Sequence, residues 1–527
     1  MQTKPKREPK AQQPSRILVR NALPTDIEAI VALSARVYGD EWCYRPSMIS
    51  GQITAFTEGQ FVLIYDDKVV GYCATFIIEE SIGLGPHTWR AITGSGYASR
   101  HDPKGDWLYG MEIFVDPEYR GLRIGRRLYD QRKILCRALG LKGIVFAGRI
   151  PGFAKRQKQY GSALEYVKAV AESRIRDATL SFQLRNSFEL VGVLPDYLPS
   201  DVESAGNAAH LIWRNPAYAD NSSIRKTNSQ NTLFKRNVRV ATVQYGQRRV
   251  KHFEEFAAQV EFFVDVAADY RADFVLFPEF FTLQLLSIAN EPLAPADAIG
   301  TLTQYTAELK SLLSRLAMRY NINIVGGSHP TKMADGDIHN VCYVCLRDGS
   351  IHAREKIHIT PSERRWWGIK GGESADVIHT DCGPIGITIC YDSEFPELAR
   401  HLIDQGAMIL FVPFCTDVRE GYLRVRYSCA ARAIENQCYM VLSGNVGNIP
   451  GVHNFDIQYA QSCILTPCDV PFARDGVAAD TTANTEMIAF ADLQIDKLIE
   501  ARNDGSVLNL RDRRFDLYQS NWTHRDK

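Results

Sequence analysis

The chain has 527 residues, of which 45% are hydrophobic and 23% are charged, and its formal net charge is zero. This length exceeds what one hydrophobic core supports, so more than one domain is predicted. The neutral balance argues against nucleic acid or an acidic membrane as a partner, and no run of about 18 uncharged apolar residues predicts a membrane-spanning helix.

The N-terminus, MQTKPKREPKAQQPSR, is polar and contains proline. It lacks the apolar core of a secretory signal, so residues 1–15 are predicted to be a disordered tail, with a targeting arm as the alternative. The twelve cysteines are too sparse for a disulfide scaffold, which makes the reducing cytoplasm the expected compartment. Cys342 and Cys345 form a CxxC in a predicted strand, where they face opposite sides, so no metal site is predicted there.

One polar segment divides the chain. Residues 216–236, PAYADNSSIRKTNSQNTLFKR, are rich in Asn and Ser and have no apolar periodicity, which is typical of a linker. Strands alternate with helices on both sides of it. After the tail, we therefore predict a first domain over residues 16–217, a linker over 218–235 and a second domain over 236–527.

The informative stretch of the first domain is WLYGMEIFVDPEYRGLRIGRRLYDQRKILCRALGLKGIVFAG. It predicts a strand through Ile113 and Val115, the turn PEYRG, a helix over 124–139 that Gly140 ends, and the strand GIVFAG. The apolar face of this helix is predicted to carry Ile124, Leu128, Leu135 and Leu139. A glycine-containing turn before a helix offers backbone N–H groups to an anion. Alone, RGLRIG is a weak motif, because an ordinary strand–turn–helix has the same appearance.

The order of strand, RGxxxG turn, helix and strand resembles the acyl-CoA-binding motif of the GNAT N-acetyltransferases. The segments ILVRNALPTDIEAIVALSARVYGD, FVLIYDDKVVGYCATF and LRNSFELVGV are also similar to that family. The resemblance implies a mixed sheet with flanking helices and acetyl-CoA as co-substrate. The residues it implies for binding acetyl-CoA are Val115, Arg120, Gly121, Arg123, Ile124 and Gly125. Arg123 stands where the family pattern has its middle glycine.

Two features of the first domain concern the amine that would accept the acetyl group. Residues 161–183 are longer and more helical than the minimal GNAT fold requires, and we expect them to shape the acceptor pocket. Glu112, on the strand before the turn, is the candidate acetyltransfer base. A salt-bridged strand glutamate is the alternative interpretation.

The second domain opens with the strand VRVATVQY and a helix over residues 250–270. The buried strand ADFVLFPEFF follows and carries Glu279 directly after four apolar residues and a proline. Such a conflict between polarity and local pattern often indicates function. The alternative is a carboxylate that caps the next helix.

Two further segments carry reactive side chains. Lys356 lies in a predicted strand over 350–359, where a solvated edge lysine is the alternative. Cys390 ends the apolar strand 386–389 and precedes a helix with Glu397 and Arg400. A cysteine at such a turn is presented as a nucleophile, and the next N–H, of Tyr391, can act as an oxyanion donor. One more buried thiol is the alternative.

The three side chains form a coherent set. A thiol has an unperturbed pKa of about 8.5 and needs a base, which Glu279 could be, while Lys356 could stabilise the oxyanion. A Cys–His pair is the rival arrangement. His358 and His379 are its candidates, and the sequence indicates no orienting partner for either.

FPEFF, REKIHITPSE and CYDSEFPELAR resemble the three motifs of the nitrilase (carbon–nitrogen hydrolase) superfamily, in the same order, and ARAIENQCYMVLSGNVG resembles a later block. The resemblance implies a catalytic triad of Glu279, Lys356 and Cys390, with Glu363 as an assisting second glutamate. It also implies an α-β-β-α sandwich that pairs into dimers or larger assemblies. Most branches hydrolyse linear amides or carbamoyl groups, and a minority hydrolyse nitriles.

We therefore predict a two-domain protein of α/β and α+β class, an N-terminal GNAT fold followed by a nitrilase-type sandwich. The predicted function is a bifunctional enzyme, an amidase without a cofactor and an acetyl-CoA-dependent N-acetyltransferase. The expected partners are small-molecule amides and amines and a second copy of the chain, bound through the C-terminal domain. One alternative is an amidase regulated by a non-catalytic, acyl-CoA-sensing first domain. The other is a non-catalytic binding scaffold.

Overall fold

The structure is a computed structural model that describes residues 15–218, 237–518 and 522. The described residues divide into two compact units, the first over residues 15–218 and the second over residues 237–522. Residues 1–14 of the predicted tail and 219–235 of the predicted linker lie outside the described residues. None of the described helices is long and apolar enough to cross a membrane.

The first unit contains one sheet with helices on both faces. Its described strands are β1 (Ile17–Asn21), β2 (Gln60–Tyr65), β3 (Lys68–Ile78), β4 (Trp107–Val115), β5 (Gly143–Arg149), β6 (Glu189–Leu194) and β7 (Ala208–Arg214). Its described helices are α1 (Ile27–Tyr38), α2 (Pro46–Ala55), α3 (Glu80–Gly83), α4 (Trp89–Thr93), α5 (Ile124–Ala138), α6 (Phe153–Tyr160), α7 (Ala163–Ala171) and α8 (Ala178–Arg185).

The strands of this sheet lie in the order β1-β2-β3-β4-β5-β7-β6. All neighbours are antiparallel except β4 and β5, which run parallel, so the sheet is mixed, as predicted. The pairing of β4 with β5 covers only residues 107–109 opposite 143–145, and beyond it the two strands separate. Helices α1 and α2 pack on one face, and α5, α7 and α8 pack on the other.

The helix predicted over residues 124–139 is α5. The prediction that Leu139 lies on its apolar face is wrong. Ile124 and Leu128 are buried, whereas Leu139 is 43% exposed. Leu139 is the cap residue rather than part of the helix. Gly140 follows with a φ of +61° and turns the chain away, as predicted.

The second unit has the described strands β8 (Asn237–Gly246), β9 (Phe274–Leu276), β10 (Asn323–Val325), β11 (His329–Lys332), β12 (Ile338–Cys345), β13 (Ile351–Glu355), β14 (Ile378–Thr380), β15 (Gly383–Ile387), β16 (Ile409–Phe414), β17 (Tyr439–Val446), β18 (Cys463–Leu465), β19 (Val477–Asp480) and β20 (Met487–Gln494). Its described helices are α9 (Phe253–Asp269), α10 (Leu286–Ala289), α11 (Pro295–Leu302), α12 (Thr306–Tyr320), α13 (Pro396–Asp404), α14 (Arg419–Glu435) and α15 (Ile495–Asp504).

The predicted helix–sheet–sheet–helix sandwich is confirmed in the layers of this unit. Strands follow the order β11-β12-β10-β9-β8-β17-β16-β15-β14. The ring of Phe274 on β9 lies 5.2 Å from that of Phe411 on β16, although these strands are not neighbours, because the two halves of the sheet pack face to face. Helices α9 and α12 cover one outer face, and α13 and α14 cover the other. Cys342 packs between the sheets and Cys345 beneath the helices, so they face opposite sides, as predicted.

Three strands end earlier than predicted, and the strand before Cys390 is one of them, since β15 ends at Ile387. The strand before Glu279 covers only Phe274–Leu276, and Phe280 turns the chain with a φ of +51°. The strand before Lys356 ends at Glu355, so Lys356 lies just beyond it. This strand ends because the N–H groups of residues 357 and 358 donate to the carboxylate of Asp392 instead of to a neighbouring strand.

Candidate active site

Four predicted residues form one buried cluster in the second unit. Lys356 Nζ donates to Glu279 Oε1 at 2.8 Å and to Glu363 Oε2 at 2.7 Å. Cys390 Sγ lies 3.9 Å from the carbonyl oxygen of Cys415, whose N–H donates to Glu279. All four predicted residues are buried, and the most accessible of them, Cys390, is 7% exposed. The cluster is therefore a preformed constellation of thiol, two carboxylates and one ammonium.

The topology explains why these residues meet. Strands β8, β9, β15, β16 and β17 are linked by parallel pairings, and the carboxyl ends of parallel strands lie at a common edge. Glu279 follows β9, and Cys390 follows β15. Cys415 follows β16, and its N–H donates to Glu279 Oε2 at 3.0 Å. Asn445 on β17 donates from Nδ2 to the Glu279 carbonyl at 2.6 Å.

Asn340 and Thr360 complete the cluster, and the sequence did not point to either. Asn340 Nδ2, fully buried on β12, donates to Glu279 at 2.9 Å and to Glu363 at 3.2 Å. The backbone N–H and the hydroxyl of Thr360 donate to Glu363 at 2.9 and 2.8 Å. An asparagine inside the apolar strand around NVCYVC is a signal of the kind that identified Glu279, and it could have been read in the same way.

The two carboxyl groups have pKa values displaced in opposite directions. Burial raises the pKa of Glu279 by more than Lys356 lowers it. Burial also acts to raise the pKa of Glu363, but Lys356 and the donors of Thr360 hold it below its usual value. A proton that enters the cluster therefore binds Glu279, while Glu363 stays ionised.

Lys356 remains protonated in this setting. Burial alone would lower its pKa, but Glu279 and Glu363 hold the pKa well above its usual value. A lysine ammonium has three donors, and two of them bond the carboxylates. Among the described residues the third has no acceptor, which leaves it for an oxyanion.

Cys390 lies at a sharp turn, as predicted. It begins the 3₁₀ helix Cys390–Glu394 with a φ of +49°, a conformation that a non-glycine residue adopts under strain. Burial, and then the charge of Glu279, raise the pKa of its thiol well above the usual value. The resting thiol is therefore protonated. The N–H of Tyr391 is among the first of this helix, where no intrahelical acceptor exists.

His358 has an orienting partner, which corrects the interpretation of the sequence. Its Nδ1 lies 2.9 Å from Asp392 Oδ1, and its ring stacks on Phe395 at 3.7 Å. Asp392 also accepts from the N–H of Ile389, so it joins the segment after the lysine to the turn before Cys390. The leading charges acting on the thiol pKa are nevertheless Glu279 and Lys356. His379 is exposed on β14, the last strand in the order.

In the first unit, the predicted acyl-CoA turn lies between β4, which ends at Val115, and α5, which begins at Ile124. Gly121 has a φ of +101°, and Arg123 adopts the left-handed conformation with a φ of +50°. Arg123 thus takes the backbone shape that glycine adopts freely. A Cβ on Gly125 would lie 3.0 Å from the ring of Phe182, so this glycine also permits close helix packing. Arg120 is exposed beside the turn.

Glu112 is partly buried, and the interpretation as a salt-bridged strand residue is wrong. Its carboxylate accepts from the hydroxyls of Tyr38 and Tyr44, both at 2.9 Å, and from the N–H of Ile113 at 2.9 Å. In the described ranges no cation pairs with it. Burial raises its pKa despite these donors. Within residues 161–183, α7 and α8 pack on the α5 side of the sheet, whereas Tyr44 packs on the other, and a role of this segment in the acceptor pocket stays a prediction.

Comparison with known proteins gives a family assignment for each unit. The family model described as Carbon-nitrogen hydrolase matches residues 239–503, and the Acetyltransferase (GNAT) family model matches residues 28–158. The chain is 45% identical over 504 residues to the probable hydrolase YhcX of Bacillus subtilis (strain 168), covering 95% of this chain and 96% of YhcX. It is 30% identical over 206 residues to the uncharacterized N-acetyltransferase YkwB of the same strain, covering 38% of this chain and 90% of YkwB. The chloroplastic omega-amidase of Arabidopsis thaliana is 31% identical over 265 residues, covering 49% of this chain and 67% of that protein.

Proposed function

Because the chain belongs to the carbon–nitrogen hydrolase family and carries a GNAT acetyltransferase domain before the hydrolase domain, we propose that it is a bifunctional enzyme. The C-terminal unit hydrolyses a small linear amide or carbamoyl compound, and the N-terminal unit transfers an acetyl group from acetyl-CoA to an amine. One observation carries the hydrolase proposal. Lys356 donates to Glu279 at 2.8 Å, and Cys415 links this pair to Cys390, because its N–H donates to Glu279 and its carbonyl oxygen lies 3.9 Å from the Cys390 sulfur. The similarity to an omega-amidase favours an amide over a nitrile.

In the acylation half of the proposed reaction, Glu279 accepts the thiol proton as the Cys390 sulfur attacks the amide carbon. The third N–H of Lys356 and the backbone N–H of Tyr391 stabilise the oxyanion. Glu279 then gives its proton to the nitrogen, the carbon–nitrogen bond breaks, and ammonia or an amine leaves. An acyl thioester remains on Cys390.

In the hydrolytic half, Glu279 takes a proton from water as the water oxygen attacks the thioester carbon. The carbon–sulfur bond breaks, the carboxylic acid leaves, and Glu279 returns the proton to the thiolate. Glu279 can serve in both halves because its raised pKa suits a group that gains and loses a proton. Glu363 stays ionised and, with Asn340, holds Lys356 and Glu279 in position.

A substrate screen tests the hydrolase proposal. The full chain is expected to release ammonia catalytically from short primary amides or carbamoyl compounds, with slower or no release from the matching nitriles. Continuous detection of ammonia, together with mass analysis of the acid product, measures this directly. Turnover of nitriles alone, or no turnover of any of the three classes, would contradict the proposal.

The acetyltransferase proposal is supported by the turn before α5. Helix α5 has 15 residues and presents the positive end of its dipole at Ile124, to which a pyrophosphate can bind. Arg120 and Arg123 add positive charge beside this end. Glu112, with its raised pKa, is the proposed base that takes the proton of the acceptor amine.

We expect the full chain to bind acetyl-CoA and Arg120→Glu to weaken that binding by about tenfold, because a phosphate contact to a charged donor is replaced by repulsion. Isothermal titration calorimetry measures the affinity. Arg90→Glu, the same charge change at an exposed residue of α4, is the matched control. Gly125→Trp is a less specific variant, because its side chain would also displace Phe182.

Two outcomes separate the alternatives for the first domain. No heat with acetyl-CoA or with longer acyl-CoAs would refute the binding site. Binding without transfer to any member of an amine panel would identify a sensing domain and contradict the bifunctional proposal.

We also propose that the two units are separate domains and that the protein forms a homodimer or larger homo-oligomer through the C-terminal one. Each unit has its own hydrophobic core and its own set of motif residues. This organisation supports independent folding.

A further inference from the structure

Glu394 is a largely covered carboxylate beside the nucleophile, and the proposed reaction does not use it. It is the last residue of the 3₁₀ helix that Cys390 begins. Its side chain is only 22% exposed. Within the described ranges its carboxylate accepts no hydrogen bond, and its one ion pair is with Arg424, whose Nε lies 3.7 Å from Oε1.

This lack of donors distinguishes Glu394 from the other carboxylates of the cluster. Glu279 and Glu363 each accept several short hydrogen bonds. A carboxylate taken largely out of water without donors is costly, and such a group requires an explanation. The Arg424 side chain is 65% exposed, so this ion pair contributes little and is easily exchanged. Glu394 is therefore a carboxylate available to a donor that the protein does not supply.

The short 3₁₀ helix that Cys390 begins carries Glu394 at its other end, so Glu394 lies on the Cys390 side of the cluster. Burial raises the pKa of Glu394, whereas Arg424 and Lys356 lower it.

The helix geometry relates Glu394 to the oxyanion position. In a 3₁₀ helix, side chains three residues apart eclipse each other, so Tyr391 and Glu394 share one face. Tyr391 is partly exposed, and its ring meets Phe395 edge-on at 4.9 Å. Glu394 follows Cys390 by four positions, and each position adds a rise of about 2 Å, so the two residues lie roughly 8 Å apart along the helix axis. A substrate bound at the Tyr391 N–H can span this distance with a short carbon chain.

We propose that Glu394 forms, with the ring of Tyr391, a subsite for a basic nitrogen at the far end of the hydrolase substrate. The substrate class is then a short linear amide or carbamoyl compound that carries an ammonium group. The carboxylate provides the counter-charge and hydrogen-bond acceptor, and the tyrosine ring adds a cation–π contact. This inference rests on the proposed hydrolase function and goes beyond it by assigning the charge of the substrate.

Three amides of matched length test the subsite in the full chain: 5-aminopentanamide with an ammonium group, neutral pentanamide, and 5-amino-5-oxopentanoate with a carboxylate. We expect kcat/KM to be highest for the ammonium amide and about tenfold higher than for the neutral one. This ratio corresponds to the free energy that one hydrogen bond to a charged group contributes. Glu394→Gln should reduce that preference about tenfold, mainly through KM. Glu397→Gln, at an exposed acid of the following helix, is the matched control and should keep the preference.

Two kinetic results would overturn the inference. One is a wild-type preference for the carboxylate amide that Arg424→Gln abolishes, since Arg424 would then be the recognition group. The other is an ammonium preference that survives Glu394→Gln.

Calorimetry with Cys390→Ala separates this inference from the proposed hydrolysis. The ammonium amide should bind that variant, and Cys390→Ala/Glu394→Gln should bind it about tenfold more weakly. If none of the amides is hydrolysed but this difference persists, the proposed reaction fails and the subsite stands. If binding is equal in both variants, the subsite fails.

Discussion

Cys390→Ala is expected to abolish hydrolysis of every amide that the wild-type chain hydrolyses, a loss of at least about 10⁴-fold. Without the sulfur no thioester can form, and the remaining groups can only position water. The substitution removes one buried, neutral thiol and leaves the charges of Glu279, Lys356 and Glu363 in place. The fold should therefore persist, with an unchanged circular dichroism spectrum and a similar melting temperature.

Mass spectrometry locates the nucleophile independently of the rate. Wild-type protein mixed with a slowly hydrolysed amide should show an acyl adduct on the peptide that contains Cys390. Cys463→Ala, at a fully buried thiol of β18, is the control and should retain both adduct and activity. Cys415 is the closest competitor, because its carbonyl lies beside the Cys390 thiol. An adduct on Cys415, or on any other cysteine, would be incompatible with the assignment.

The position of the proposed catalytic cluster could be predicted because its members break the pattern of their own segments. Glu279 follows a run of apolar residues and a proline, and Cys390 ends an apolar strand before a helix. These are local signals, visible within about ten residues. The parallel strands then bring them to one edge of the sheet, as the alternation of strands and helices indicated.

The rest of the site depends on partners far apart in the chain. Asn340 meets Glu279 across 61 positions, and Asp392 meets His358 across 34. The early end of the strand before Lys356 has the same origin, because Asp392 takes its N–H groups. No local periodicity carries such information.

Glu112 shows the same limit in the first unit. Its donors, Tyr38 and Tyr44, precede it by 74 and 68 positions. A strand glutamate held by tyrosine hydroxyls and one held by a cation have the same local sequence. Tertiary structure alone distinguishes them, and here it favours a carboxylate with a raised pKa, which suits a base.

Lys356→Met is expected to destroy hydrolysis and also to destabilise the second unit by about 3–5 kcal/mol near neutral pH, because it leaves two buried carboxylates without a cation. The loss should depend on pH. In the wild type, Lys356 holds the pKa of Glu363 below its usual value, so this contribution is present above about pH 4.3 and is lost as the pH falls through the folded pKa.

In the variant the sign reverses. Without the ammonium, burial raises the pKa values of both Glu279 and Glu363 above those of the unfolded chain, so the folded state binds protons more tightly. Its stability therefore increases as the pH falls, and the difference from the wild type is largest at neutral and alkaline pH. Thermal melts at pH values from about 8 down to about 5 measure this difference directly.

Two controls identify charge as the cause. Lys370→Met, at an exposed lysine, should change the free energy of unfolding by less than about 0.5 kcal/mol. Lys356→Met/Glu279→Gln removes one of the stranded carboxylates and should recover part of the lost stability at neutral pH, without recovering hydrolysis. A deficit that stays constant between acid and alkaline pH would mean that Lys356 contributes packing rather than charge. The oxyanion role would then lose its electrostatic support, because that role requires an ammonium held between two ionised carboxylates.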